Sequence, residues 1–270
     1  MDFSNEELER YSRHIILKEI GYKGQKKLKN ARVLVIGAGG LGSPAIMYLA
    51  SAGVGTIGIA DGDVVDLSNL QRQIIHNEKA LGIDKAESAK NTVISMNKHI
   101  KVNVYKKLID ANNIKEIIEP YDFVIDATDN FEAKFLINDA CVLAKKPFSH
   151  GGVLGMRGQA MTYIPDKGPC YRCIFDEPPV HGEVPTCKEA GVLGAVCGII
   201  GSIQATEAVK YILGVGGLLN GYMLTVDAVT MEFRKVSLPK VVEDCKICGE
   251  NPTITTLQVG NYERKSCNIN

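Results

Sequence analysis

The sequence predicts an α/β protein: a doubly wound, mostly parallel sheet that is extended by antiparallel strands. Three observations carry that prediction. Residues 33–36, Val-Leu-Val-Ile, form an apolar run without polar alternation, as a strand covered on both faces requires. Short strand-like runs then alternate with helical periodicity through residues 33–150, which is the pattern of successive βαβ units. From about residue 148 the pattern changes, and strand-like runs follow one another without a helix between them.

A chain of 270 residues builds one large α/β domain or two small ones, and 45% hydrophobic residues supply an ample core. Lysine plus arginine (31) balances aspartate plus glutamate (31), so no global field draws the chain to nucleic acid or a membrane surface. The first seven residues are polar and acidic, unlike a secretory or transit peptide, so the cytoplasm is the expected location. The small-residue stretch 190–217 has a membrane-like look. Gln204, Glu207 and Lys210 interrupt it on successive turns, which predicts a buried helix with one wet stripe.

Taken in order, Ser4 with Glu7 three residues on is a capping-box start for a helix over 4–18. Leu8, Tyr11, Ile15 and Ile16 recur there at helical spacing, with Arg10, Arg13 and Lys18 elsewhere on the surface. The basic piece 23–29 reads as a solvated face. The strand at 33–36 runs into Gly37-x-Gly39-Gly40-x-Gly42, and 41–52 reads as a helix. Glycines at this junction allow a tight turn, close approach of phosphate oxygens and helix-on-strand packing. The helix N-terminus beyond offers free N–H groups to an anion. A Rossmann-like nucleotide site is therefore expected. Further strands are predicted at 56–60, 102–105 and 123–126, with helices over 83–96, 111–119 and 131–144. Strands at 148–152 and 159–164, a proline-rich loop through 185 and a helix over 190–214 follow. A hairpin of 222–227 with 232–236 comes next. Residues 1–250 read as one domain, its nucleotide-binding half about 1–150 and its second half about 151–250, with a loose tail over 251–270.

Several residues carry chemistry. Asp61 ends the second strand, where a carboxylate can accept hydrogen bonds from both ribose hydroxyls; the bland alternative is a turn cap with Gly62. Asp63 belongs to the same nucleotide-side set. Arg72 and Lys85 follow that strand and add cations suited to a triphosphate, with Asn69 and Gln73 in the same loop. Asp126 and Asp129 bracket the end of the fourth strand, where a carboxylate can hold Mg²⁺. The alternative there is an N-cap, which Asp129 and Asn130 fit equally. Cys170-x-x-Cys173 and Cys245-x-x-Cys248 supply four soft thiolates, the donor set of a closed structural zinc site. A redox CxxC is the rival. Cys141 and Cys197 fall in helices and read as small core residues, and Cys267 as a tail thiol without function.

These motifs, in this order, resemble the MoeB and ThiF family, adenylyltransferases that activate ubiquitin-like sulfur carriers. The resemblance spans roughly residues 5–250 and rests on several stretches. They are Arg10-Tyr-Ser-Arg13-His, the glycine loop, Asp66-x-x-x-Asn69-Leu-Gln-Arg72-Gln and Gly82-x-x-Lys85, followed by Asp126-x-x-Asp129-Asn, Pro169-Cys-Tyr-Arg-Cys173, Glu189-Ala-Gly-Val-Leu-Gly194 and Cys245-x-x-Cys-Gly249. It implies that Asp61 binds the ribose of ATP and that Arg72, Lys85 and Asn69 serve the phosphates. Asp129 becomes the Mg²⁺-linked carboxylate, with Asn130 beside it, and the four paired cysteines become zinc ligands. Arg13 is implied to act in the partner's site across a homodimer. The second half would then hold the carrier, whose C-terminal Gly-Gly carboxylate is adenylated with release of pyrophosphate, in thiamine or molybdopterin synthesis. Cys187 stands where some members form a sulfur-linked intermediate and others do not; Lys188 favours a thiolate and Glu189 opposes it. The sequence stops at Asn270 without a rhodanese segment, so a separate sulfur donor is expected. Rival readings are an NAD-dependent dehydrogenase, a zinc-stapled binding module without catalysis, and a relative that adenylates another carboxylate or a tRNA base.

Overall fold

The computed structural model describes residues 2–179 and 187–262, apart from the side chains of Cys187 and Lys188. The chain opens with three helices, α1 (Asn5–Arg10), α2 (Ser12–Ile15) and α3 (Gly21–Asn30). Strand β1 (Arg32–Ile36), α4 (Gly42–Ala52), β2 (Thr56–Ala60), α5 (Lys85–Met96) and β3 (Lys101–Tyr105) follow. Then come α6 (Ile114–Ile118), β4 (Phe123–Asp126), α7 (Phe131–Leu143), β5 (Phe148–Leu154) and β6 (Arg157–Tyr163). The described elements end with α8 (Cys187–Ala190), α9 (Gly194–Leu213), β7 (Tyr222–Asp227) and β8 (Glu232–Ser237).

All eight strands form one sheet in the order β3-β2-β1-β4-β5-β6-β7-β8. From β3 to β5 the pairing is parallel, and from β5 onward it is antiparallel. That is the expected architecture. The strand order reverses between β1 and β4, and a crevice opens there beyond the carboxyl ends of the strands. In register, Ile36 pairs with Asp126 and Asp126 with His150, so three strands bring one row of residues to that edge.

Two apolar layers cover the sheet. One packs α3, α4, α5 and α9 around Val33, Val35, Ile57 and Ile59. The other packs α6, α7 and the cysteine knuckles around Leu34, Val124, Phe148 and Tyr171. Alternate residues of β1 thus serve opposite layers, which is why its sequence is apolar throughout.

Four expectations change in the structure. The helix over 4–18 starts at the expected capping box, in which Ser4 and Glu7 bond reciprocally, but it breaks at Tyr11 into α1 and α2. Tyr11 alone of its predicted apolar stripe is buried, because Asn97 donates to its hydroxyl at 2.8 Å; Ile16 is 71% exposed. The basic piece 23–29 lies in helix α3, where Gly24, Gln25 and Leu28 face inward while the lysines point out. The polar stripe of α9 is dry at Gln204 and Glu207, and only Lys210 is partly exposed. Gln204 donates to the carbonyls of Asp126 (2.7 Å) and Ser149 (3.1 Å), and Glu207 accepts from Thr162 (2.7 Å) and the Leu219 amide (2.6 Å). Long and apolar enough by composition to cross a membrane, α9 instead packs against α4 and the sheet. Finally, residues 251–261 are mostly exposed, but the described part of the tail is anchored at Tyr262, which is buried against the second apolar layer, with Ile254 and Leu257 partly buried on it. Cys267 lies outside the described residues.

Candidate active site

A cavity of about 1620 Å³ occupies the crevice at the strand-order reversal. Its walls include Gly37, Gly39 and Gly40 of the loop after β1, together with Asp61, Asp63, Arg72, Gln73, Lys85, Asp129 and Asn130. Most of the residues singled out in the sequence are thus brought together. Gly42 and Asn69 are not among the lining residues. Gly42 opens α4, and a Cβ there would collide with the Gly37 carbonyl oxygen. Gly37 itself has φ +96°, a backbone region that side chains disfavour. These two glycines set the tight strand-to-helix turn, while Gly39 and Gly40 form the cavity floor.

Asp61 braces that turn. Its Oδ2 accepts from the Ala38 amide at 2.8 Å and its Oδ1 from the Asp63 amide at 2.9 Å. Each oxygen keeps a lone pair for a further donor, so the capping and ribose readings are compatible. Burial pushes the Asp61 carboxyl up from its ordinary value, and the two amides act against that rise. The other side of Ala38 is held by His76, which sequence reasoning missed. His76 Nε2 lies 2.9 Å from the Ala38 carbonyl and Nδ1 2.9 Å from the Ser88 hydroxyl. Burial lowers its pKa, leaving a neutral ring that donates from Nε2 and accepts from Ser88.

The cations sit opposite. Lys85 is buried at the start of α5 and pairs with the exposed carboxylate of Asp63 at 2.9 Å. Arg72 donates to the Ser68 carbonyl at 3.1 Å through one guanidinium nitrogen, and its other donors have no partner among the described residues. Gln73 is buried, and its Oε1 has no partner among the described residues.

At the end of β4 the structure separates the two aspartates. Asp126 is fully buried and fully engaged. Its Oδ2 accepts from His150 Nδ1 (2.8 Å) and Lys134 Nζ (3.2 Å), and its Oδ1 from the amide (3.1 Å) and hydroxyl (2.6 Å) of Thr128. Burial alone would raise this carboxyl, but the Lys134 ammonium and these hydrogen bonds hold it well below the usual range. Lys134 also donates to the Thr128 (2.8 Å) and Gly151 (2.7 Å) carbonyls, so it locks the loop between β4 and α7. Asn130 is the cap: its Oδ1 accepts from the Ala133 amide at 2.8 Å. Asp129 is therefore released from capping. It is exposed on the cavity wall, with no protein partner for its carboxylate among the described residues. That is the donor a hydrated divalent cation takes, a carboxylate free to share it with phosphate oxygens.

The cavity extends in a second direction, over β5, β6 and β7, along Gly152, Gln159 and Thr225 towards Arg157, Asp227 and Arg234. Tyr171 and Phe175 form part of its wall and tie it to the cysteine cluster. The Sγ atoms of Cys170, Cys173, Cys245 and Cys248 all lie within 4.8 Å of one another, with measured separations of 3.4–3.9 Å. A tetrahedron with Zn–S bonds of about 2.3 Å has edges of about 3.8 Å. The four thiolates therefore fit a closed zinc site. Cys141 is buried as expected, whereas Cys197 also reaches the cavity beneath Gly40. Arg13 is exposed on α2 and does not line its own cavity. The side chain of Cys187 lies outside the described residues. His76, Lys134 and His150 were not legible as site residues, since each acts through a partner from a different element, and Cys197 was legible only as a core residue.

Comparison with known proteins places this geometry in a family. The ThiF family model matches residues 11–247. The adenylyltransferase and sulfurtransferase MOCS3 of Culex quinquefasciatus is 48% identical over 254 residues, 94% of this chain and 58% of that protein. A Mycobacterium tuberculosis protein named probable adenylyltransferase/sulfurtransferase MoeZ is 48% identical over 241 residues, 88% of this chain and 62% of its own length. The chain thus spans about three fifths of these relatives. Among solved structures, Escherichia coli MccB superposes with a TM-score of 0.80 at 24% identity, over 93% of this chain and 75% of that one. This last likeness is one of fold.

Proposed function

This chain belongs to the ThiF family, and from that premise we propose that it is an ATP-dependent adenylyltransferase acting on a ubiquitin-like sulfur carrier. Two of its relatives carry adenylyltransferase in their names, and Asp61, Arg72, Lys85 and Asp129 line one cavity. The observation that carries the proposal is the division of labour at β4: Asp126 is spent on structure, while Asp129 stands free beside the glycine loop, Arg72 and Lys85.

In this reading the ribose hydroxyls donate to the lone pairs left on Asp61, and the phosphates lie over Gly37–Gly40. Lys85 exchanges its exposed partner Asp63 for phosphate oxygens, and Arg72 turns its other donors the same way. Asp129 is the residue that would hold Mg²⁺, which would neutralise charge on the polyphosphate. A carboxylate oxygen of the carrier's C-terminal glycine forms a bond to the α-phosphorus, and the bond to the bridging oxygen breaks to release pyrophosphate. The nucleophile is already an anion, so no general base is required. The chain's task is to hold two anions together against their repulsion and to stabilise charge on the leaving group. The carrier is of the thiamine or molybdopterin type, approaching along the second arm of the cavity. The zinc site serves as a staple for the wall of that arm.

The test is carrier-dependent exchange of labelled pyrophosphate into ATP. Asp129→Ala is expected to abolish exchange while the bound zinc stays at one per chain. Undiminished exchange by that variant would sink the assignment.

A further inference from the structure

His150 holds a polar atom that no described residue uses. Its ring is 1% exposed, Nδ1 is committed to Asp126 at 2.8 Å, and Nε2, on the far side of the ring, has no hydrogen-bond partner among the described residues. An unpaired buried acceptor is costly, so its retention asks for a donor that arrives from outside. His150 lines the cavity, and its Nε2 lies 3.7 Å from where a Cβ on Gly152, another lining residue, would sit. Building on the adenylation reading above, we infer that His150 Nε2 accepts a hydrogen bond from a backbone N–H of the carrier's C-terminal glycines.

The position selects that ligand. Asp61, on the ribose side, ends β2, whereas His150 lies two strands beyond β1 in the sheet order, in register with Asp126. A tail that comes along the second arm towards Asp129 and the glycine loop passes His150 before its end reaches the phosphates. The Tyr171 ring packs on His150 with centroids 4.5 Å apart, and Phe175 backs Tyr171 at 4.9 Å, so the passage beside Gly152 is walled by aromatic rings. The Gln159 amide lies there too, its Nε2 3.6 Å from the same Cβ position. A passage with so little room beside Gly152 suits glycine, whose peptide N–H can meet the His150 acceptor. Burial and the nearby Lys134 charge hold the ring neutral, with the proton on Nδ1 where Asp126 accepts it. A lone pair at Nε2 attracts an N–H and repels a carboxylate. It therefore grips the peptide unit and turns the reacting carboxylate away, towards Arg72 and Lys85.

Two substitutions separate this role from simple support of Asp126. Asparagine at 150 places its amide nitrogen near the old Nδ1, keeping the donor to Asp126 while deleting the outer acceptor. Glutamine reaches the old Nε2 position with its amide oxygen and forgoes the inner donor. Pyrophosphate exchange would be measured with thiamine-type and molybdopterin-type carriers ending in Gly-Gly. His150→Asn is expected to raise the half-saturating carrier concentration about ten-fold without changing that of ATP, and His150→Gln to stay within about two-fold of wild type. A carrier with glycolate replacing one of its last two glycines, which removes an N–H without adding bulk, should weaken against wild type but lose nothing further against His150→Asn. The inference is overturned if His150→Asn binds carrier normally, if glutamine fails as badly as asparagine, or if the defect falls on ATP. If the wild-type chain shows no exchange with any carrier, the adenylation reading fails first, and this inference with it.

Discussion

Asp126 and Asp129 stand three residues apart on one loop, yet their surroundings give them opposite duties. Asp126 is sealed in, and its charge is balanced by Lys134, which is itself only 7% exposed. Removing one member of such a pair strands the other charge, a loss of about 3–5 kcal/mol. Asp126→Asn is therefore expected to lower the thermal midpoint sharply. Asp129→Ala, on an exposed carboxylate without protein partners among the described residues, should leave the midpoint in place while removing activity. Thermal melts of the two variants side by side check this, and similar midpoints would mean that the Lys134 charge is accommodated elsewhere. The contrast could not be read from spacing. Asp-x-x-Asp-Asn permits either aspartate, or Asn130, to cap the helix, and only the side-chain directions on β4 and α7 decide among them. His150 was hidden for the same reason: its partner Asp126 is adjacent across a strand pair, not along the chain.

Among the elements, those buried on both faces were the most legible. β2 and β4 run over the residues expected of them, 56–60 and 123–126, because no polar alternation competes in a central parallel strand. Helices were less so wherever charge was read as exposure. Glu207 and Gln204 on α9 point into the sheet and hydrogen-bond to it, and the lysines of α3 cover a helix whose Leu28 is fully buried. A one-dimensional pattern records that a residue is polar, not whether its partner is water. The zinc cluster was legible in its ligands but not in its consequence, which is that the knuckle at Tyr171–Cys173 carries the aromatic wall of the second arm. Chelation of the metal is thus expected to loosen that wall first. Carrier binding should be lost at chelator concentrations that leave ATP binding, measured by calorimetry, intact. Parallel loss of both would mean that the cluster supports the whole sheet.

At the scale of the molecule, Arg13 has no hydrogen-bond or ion-pair partner among the described residues. It sits exposed on α2, away from the cavity that the other motif residues line, with Ile16 (71% exposed) and Leu17 (48% exposed) close by in sequence. Bare apolar side chains beside such a cation suit a surface that meets a second copy, and the resemblance to the MoeB and ThiF family implies that Arg13 then serves the other copy's site. Composite sites make a prediction that separate ones do not. Arg13→Ala and Asp129→Ala should each be inactive alone. Mixed and allowed to exchange subunits, half of the dimers contain one of each. In such a hybrid one site lacks both residues, while the other pairs an intact Asp129 with the partner's intact arginine. Random reassortment therefore restores about a quarter of the wild-type exchange rate. If Arg13 served its own chain, every site in the mixture would still lack one residue, and no activity would return.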